Sequence, residues 1–248
     1  MKKLIIGNWK MNPQSKKEAE IIFKGIVSTA QKQKNADVVI CPPYPFLSIF
    51  QKTKFSKISI GAQDVSVEQS GPYTGEVSTK MLTSVGVSYV IVGHSERRAM
   101  GDTNQIVNKK IINALKAKII PILCIGERHR DSSGEYLKFI KHQLHECLAN
   151  IPKPQVSKII IAYEPIWAIG EKAQREATPE EFTEIKIFIR KIIFDIYNSK
   201  LAHNVMVLYG GSVHPENSAE FLVDADGLLV GRDSLIPKKF DLIIKSVK

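Results

Sequence analysis

The sequence predicts an α/β protein, a (β/α)8 barrel that forms a single domain over residues 1–248. Three observations predict it. Short apolar runs rich in β-branched residues recur eight times, each ending in a polar or glycine-containing turn that a helical pattern usually follows. The runs are continuous rather than alternating, as expected of strands covered on both faces in a parallel sheet. Eight strand–helix units in 248 residues give about 31 residues per unit, the length of one βαβ step.

The strand candidates are residues 4–6, 38–41, 58–60, 89–92, 119–125, 159–163, 205–209 and 228–230. Between them lie helix starts. Ser15 is placed to cap a helix, with Glu18 at the far corner of a capping box and Ile21, Ile22 and Ile26 on its apolar face. Asp102 or Thr103 opens a second helix through Ile106, Val107, Ile111, Ile112 and Leu115. Thr178-Pro179-Glu180-Glu181 combines a cap, a first-turn proline and acids that complement the helix dipole. Residues 71–75 read as a projecting loop. Eight such units close into a barrel. The alternative, a doubly wound open sheet, would have fewer strands and a glycine-rich first turn; Gly7-Asn8-Trp9-Lys10 is not one.

Composition excludes several classes. A chain with 44% hydrophobic and 24% charged residues lies in the ordinary globular range and outside the disordered one. The formal charge of +10 favours approach of anions such as phosphorylated metabolites. The lysines are spread along the chain, whereas a nucleic-acid site needs a dense basic patch, so no nucleic-acid partner is expected. Cys41, Cys124 and Cys147 form no CxxC pair and no even framework, which predicts free thiols and a reducing compartment. The apolar start 4–6 stops at Gly7, far short of a secretory segment, and no run reaches membrane-spanning length. The expectation is a cytoplasmic protein without membrane contact.

In a barrel, residues just beyond each strand converge on one rim. The first strand is followed by Asn8 and Lys10. The fourth is followed by Gly93-His94-Ser95-Glu96-Arg97-Arg98, and the sixth by Glu164-Pro165. Gly210-Gly211-Ser212 and Gly231-Arg232 follow the last two. The turns after strands seven and eight are where barrels commonly bind phosphate through backbone N–H groups. A glutamate at an apolar strand end is a candidate general base, a neutral histidine can donate to a carbonyl oxygen, and a lysine can stabilise charge there. The set suits proton abstraction beside a carbonyl. Glu96, followed by Arg97 and Arg98, reads as ion-pairing support behind it. His142, His145, Glu146 and Cys147 imitate a metal site, but their amphipathic setting reads as helix packing, and no metal is expected.

Together these segments resemble the triosephosphate isomerase family. The resemblance rests on Gly7-Asn8-Trp9-Lys10-Met11-Asn12, on Ile91-Val92-Gly93-His94-Ser95-Glu96-Arg97-Arg98 and on Ala162-Tyr163-Glu164-Pro165-Ile166-Trp167-Ala168-Ile169-Gly170. It extends through Leu208-Tyr209-Gly210-Gly211-Ser212-Val213 and Asp226-Gly227-Leu228-Leu229-Val230-Gly231, so it spans nearly the whole chain. It implies interconversion of dihydroxyacetone phosphate and glyceraldehyde 3-phosphate without a cofactor. By that resemblance Glu164 is the base, His94 the electrophile and Lys10 the charge stabiliser. Asn8, Gly170, Ser212, Gly231 and Arg232 would bind substrate. The chain would be a homodimer, with Thr74 inserted near the partner's active site. Two departures stand out. The lid, usually continued by Thr-Gly-Lys, reads Glu171-Lys172-Ala173-Gln174-Arg175-Glu176, about two residues longer, and Arg232 replaces the second glycine of the eighth turn. Arg232 is expected to keep a negative φ, its side chain turned to solvent or to Asp233.

Overall fold

The computed structural model describes residues 2–50, 58–170, 173 and 175–248. Eight parallel strands close into a barrel in sequence order. They are β1 Lys3–Asn8, β2 Ala36–Cys41, β3 Ile58–Ala62 and β4 Tyr89–Val92, then β5 Ile120–Ile125, β6 Ile160–Tyr163, β7 Met206–Tyr209 and β8 Gly227–Val230. Each coincides with one of the eight apolar runs. Closure is made by β1 pairing with β8, Ile6 opposite Leu229.

The continuity of those runs follows from burial on both faces. Leu4, Ile6, Val39, Cys41, Ile91, Ile122, Cys124, Ile160, Ala162, Leu208 and Leu229 form one cluster inside the barrel. The alternate residues, such as Ile5, Val38, Val90, Leu123, Ile161, Val207 and Leu228, join a larger cluster with the surrounding helices. A period of two is therefore present, but both halves of it are apolar.

The helices start where the sequence places them. Ser15 Oγ accepts from Glu18 N at 3.2 Å and opens Lys16–Lys32. The Glu18 carboxylate, however, accepts from Gln14 N at 3.1 Å, so the reciprocal bond falls one residue before the cap. Thr103, not Asp102, caps Asn104–Lys116. Thr178 and Glu181 complete a full capping box on Pro179–Ile196, with bonds of 3.3 and 2.9 Å. Residues 71–76 are all exposed, and Gly71 and Gly75 supply the positive φ values, 126° and 90°, that turn this loop outward.

The register of the strands fixes the site. Counting two residues past the last inward-facing side chain of each strand leads from Ile6 to Asn8, from Ala162 to Glu164, and from Cys124, Leu208 and Leu229 to Gly126, Gly210 and Gly231. The glycines make the room. A Cβ on Gly126 would lie 1.8 Å from the Glu164 carbonyl oxygen, and one on Gly210 would lie 3.2 Å from Glu164 Cγ.

Candidate active site

At that end of the barrel lies a cavity of about 770 Å³. Asn8, Lys10, His94, Glu96, Glu164, Gly170, Ser212, Gly231 and Arg232 all line it. Arg97 and Thr74 do not.

Lys10 has φ of 54°, a conformation that costs a side-chain-bearing residue about 1–3 kcal/mol. Three contacts hold it there. Its N–H donates to Asn8 Oδ1 at 3.0 Å, its carbonyl accepts from Gln63 Nε2 at 2.8 Å, and its ammonium meets Glu96 Oε1 at 2.7 Å. Gln63 also donates to the Cys41 carbonyl at 2.9 Å, so it ties the Lys10 turn to β2. Burial acts to raise the Glu96 carboxyl. The hydrogen bond and charge of Lys10 outweigh it and hold Glu96 below the ordinary value.

His94 stands at the start of the short helix Ser95–Ala99. Its Nδ1 accepts from Glu96 N at 3.2 Å. That bond needs the Nδ1 lone pair, which assigns a neutral ring with its proton on Nε2. Nε2 lies 3.2 Å from Glu164 Oε1. Glu164 is only 2% exposed, and its second oxygen accepts from Ser95 N at 3.0 Å. Cys124 lies against it; burial first, and then the Glu164 carboxylate, push that thiol far above its ordinary range. The arrangement is a carboxylate and a neutral imidazole N–H side by side, with an ammonium on the same cavity wall.

The supporting residues differ in part from expectation. Arg97 pairs with Asp64 at 2.9 Å, in a buried cluster where Lys110 reaches Asp64 at 2.8 Å and Asp102 at 2.7 Å. Its neighbour Arg98 is the one that braces the His94 segment. Arg98 donates to the Gly93 carbonyl at 2.7 Å, to Asn104 Oδ1 at 2.7 Å and to the Cys124 carbonyl at 3.3 Å. Glu127, which sequence reasoning gave no role, is 2% exposed. It accepts from the Tyr163 hydroxyl and from Trp167 Nε1, both at 2.8 Å, and its carbonyl accepts from Ile166 N at 3.0 Å. It anchors the segment that follows Glu164.

That segment runs through a 3-10 turn, Ile166–Ala168, to Gly170 at φ of 78°. Ser212 Oγ donates to the Ala168 carbonyl at 2.8 Å. Of the altered stretch, Glu171, Lys172 and Gln174 lie outside the described residues. Arg175 stacks 4.6 Å over the Trp167 ring and donates to Glu181 Oε2 at 2.9 Å. Arg232 is exposed and opens the 3-10 turn Arg232–Leu235 without a positive φ. Of the two surroundings expected for it, solvent and Asp233, the side chain has solvent, and Asp233 pairs with Lys239 at 3.1 Å. The imitation metal site disperses. His142 pairs with Glu146 at 3.2 Å, while the buried Cys147 sulfur takes Arg98 Nη2 at 3.6 Å. Cys41, Cys124 and Cys147 are all free and buried, and no helix among the described residues is long and apolar enough to cross a membrane.

Comparison with known proteins agrees with this geometry. The family model for triosephosphate isomerase matches residues 3–247. The triosephosphate isomerase of Dictyoglomus thermophilum is 40% identical over 250 residues, covering 99% of both chains. That of Clostridium botulinum (strain Okra / Type B1) is 41% identical over 248 residues, covering 97% of this chain and 98% of its own. That of Aquifex aeolicus is 40% identical over 251 residues, covering 99% and 100%. A barrel rim that sets a buried carboxylate beside a neutral imidazole, and a match along nearly the whole length, converge on one conclusion: the chain belongs to the triosephosphate isomerase family.

Proposed function

We propose that Glu164, His94 and Lys10 carry out the family's reaction here, the interconversion of dihydroxyacetone phosphate and D-glyceraldehyde 3-phosphate in glycolysis and gluconeogenesis. Glu164 takes a proton from one carbon of the substrate and returns it to the next. The electron pair left behind moves onto the carbonyl oxygen, giving an enediolate; the hydroxyl proton of the neighbouring oxygen then passes to that oxygen, so that protonation of the second carbon leaves the carbonyl on the first. His94 Nε2–H donates to that oxygen, and the Lys10 ammonium stabilises its charge. A neutral histidine in this place is an established feature of the family. The two sugars are isomers, so the chemistry calls for no redox cofactor.

The observation that carries this reading is the position of the Glu164 carboxylate. It is buried at a strand end, 3.2 Å from the histidine, on the wall of the cavity. In the structure one oxygen accepts from Ser95 N. To act as base, the side chain gives up that bond and turns toward the substrate. Backbone N–H groups of the turns 210–213 and 231–232 are assigned to the phosphate, with Asn8, Gly170 and Ser212 completing the pocket and the Arg232 side chain outside it. The segment 165–176 is read as a lid that closes over the enediolate and protects it from losing phosphate.

A coupled assay on purified protein tests the assignment, run in parallel in deuterium oxide. Turnover with deuterium entering the carbon-bound position of the product is expected. Deuterium enters because the protonated Glu164 exchanges with solvent before it gives a proton back; absence of turnover rejects the assignment. We further assign one domain over residues 1–248, a cytoplasmic location consistent with the three free thiols, and a homodimer in which the exposed loop 71–76 carries Thr74 to the partner. Light scattering that gives a fully active monomer at micromolar concentration contradicts the dimer.

A further inference from the structure

His214 lies outside the chemistry just assigned, yet it touches three elements of the site at once. It stands between the phosphate turn and the helix Pro215–Asp224. Its Nδ1 is 2.8 Å from Glu216 Oε2. Its Nε2 has two neighbours, Glu176 Oε2 at 3.2 Å on the far limb of the lid and Asn217 Nδ2 at 2.9 Å.

Those two neighbours make opposite demands. The Asn217 amide is oriented by its other bonds: Oδ1 accepts from His214 N at 3.0 Å, and Nδ2 donates to the Ser212 carbonyl at 2.9 Å. Nδ2 therefore offers its second hydrogen to His214 Nε2, which must then be a bare lone pair. Glu176 is a carboxylate acceptor and needs Nε2 to carry a proton. With Glu216 holding the proton on Nδ1, the neutral ring satisfies Asn217 and repels Glu176, whereas the imidazolium satisfies Glu176 and opposes Asn217.

We propose that His214 is a positioning residue, a proton-operated latch on the far limb of the lid: the imidazolium holds Glu176 where it now lies, and the neutral ring releases it and pairs with Asn217. The proposal rests on the reading of residues 165–176 as a lid. The ring is faced by Glu176 from the lid and Glu216 from the helix Pro215–Asp224; the other charged groups near that end of the cavity lining are Arg232 and Asp233 from the turn after β8 and Lys239 from the last helix. Burial lowers the tendency of His214 to protonate, but its bonds and charge pairing with Glu176 and Glu216 outweigh this and raise its pKa above the ordinary 6.5. Because the folded-state value is raised, the ionic contact is fully present below pH 6.5 and is lost as pH rises through the folded-state value. Release then frees the lid to close, so the latch restrains turnover on the acid side.

The test compares the full-length protein with His214→Asn, which cannot titrate but remains a good helix cap, and with Glu176→Gln. Two readouts are taken between pH 5.5 and 8.5: the imidazole NMR titration of His214, and kcat/KM. Dividing wild-type kcat/KM by that of each variant cancels groups common to both, including the substrate phosphate. The expected ratio rises about two- to fivefold from acid to alkaline pH for both variants, the range for a partly exposed ion pair. The His214 midpoint should lie above 6.5 in the wild type and fall in Glu176→Gln. A flat ratio overturns the latch, as does a His214 midpoint unmoved by Glu176→Gln. An inactive protein whose midpoint still depends on Glu176 would instead refute the proposed function and leave the latch standing.

Discussion

The same strands behave differently at their two ends. Along β1, Leu4 and Ile6 lie in the barrel interior, and two residues further the same register delivers Asn8 to the cavity. Along β6, Ile160 and Ala162 are succeeded in the same way by Glu164. The positions that cluster inside the barrel are apolar, and each fully buried aliphatic side chain stabilises the fold by about 1.5–3 kcal/mol. At the rim the register holds a buried carboxylate, a lysine in a left-handed conformation and three glycines, each of which weakens the fold. The difference teaches that stability and chemistry are separated by only a few ångströms along one strand. The interior offsets the cost of a rim that is built for reactivity.

This contrast can be broken or sharpened by substitution. The largest effect is expected at Gly126, where rim and fold meet. Gly126→Ala places a Cβ 1.8 Å from the Glu164 carbonyl oxygen, a collision with backbone that no rotamer relieves. Loss of well over 4 kcal/mol of stability is expected, read as little or no folded protein. A variant with normal melting and activity would show that the two strand ends are not packed as described.

Lys10→Met should separate the two properties cleanly. It removes the charge and keeps the stem, so kcat is expected to fall about 10²–10³-fold, the usual cost of removing one donor to a developing oxyanion. Stability should hold or rise slightly, because Glu96 is 57% exposed on its side chain and can be solvated. A normal kcat would exclude Lys10 from the chemistry.

Ile122→Ala is the mirror experiment. Ile122 is fully buried in the barrel interior, and its truncation should cost about 2–5 kcal/mol of stability. The kcat of the folded fraction should change little. A fall of 100-fold in kcat with normal stability would erase the distinction between interior and rim. The smallest effect is expected from Arg232→Gly. Its side chain is exposed and Asp233 is engaged by Lys239, so phosphate should bind through the backbone. Inhibition by inorganic phosphate should change less than about 100-fold, or 2.7 kcal/mol. A larger change would place the guanidinium on the ligand.

How much was legible follows the same division. The eight strands could be read because burial on both faces leaves uninterrupted apolar runs, a signal that depends only on neighbours in sequence. Glu164 stood out because a carboxylate interrupts that pattern, and Thr178 because its capping partners lie within three residues. The missed groups act at a distance. Glu127 follows a glycine and its neighbours in sequence give it no role; its function comes from Tyr163 and Trp167, which only the fold brings to it. Gln63 carries no pattern at all. That Arg97 turns to Asp64 while Arg98 turns to the Gly93 carbonyl depends on which way a five-residue helix faces, about 100° per residue, which composition does not reveal. Lys239 reached Asp233 across one helix start, while His214 met Glu176 across 38 residues of chain.

The account stands most directly on Glu164. Glu164→Gln keeps the side-chain shape and its burial and removes the capacity to accept a carbon-bound proton, together with one of the two acceptor oxygens that Ser95 N and His94 Nε2 face. Its kcat should fall by at least the 10²–10⁴-fold that general-base catalysis contributes, while the melting temperature stays within a few degrees of wild type. A Glu164→Gln enzyme that turned over at near wild-type kcat would contradict the central claim that the reactive rim works through this carboxylate.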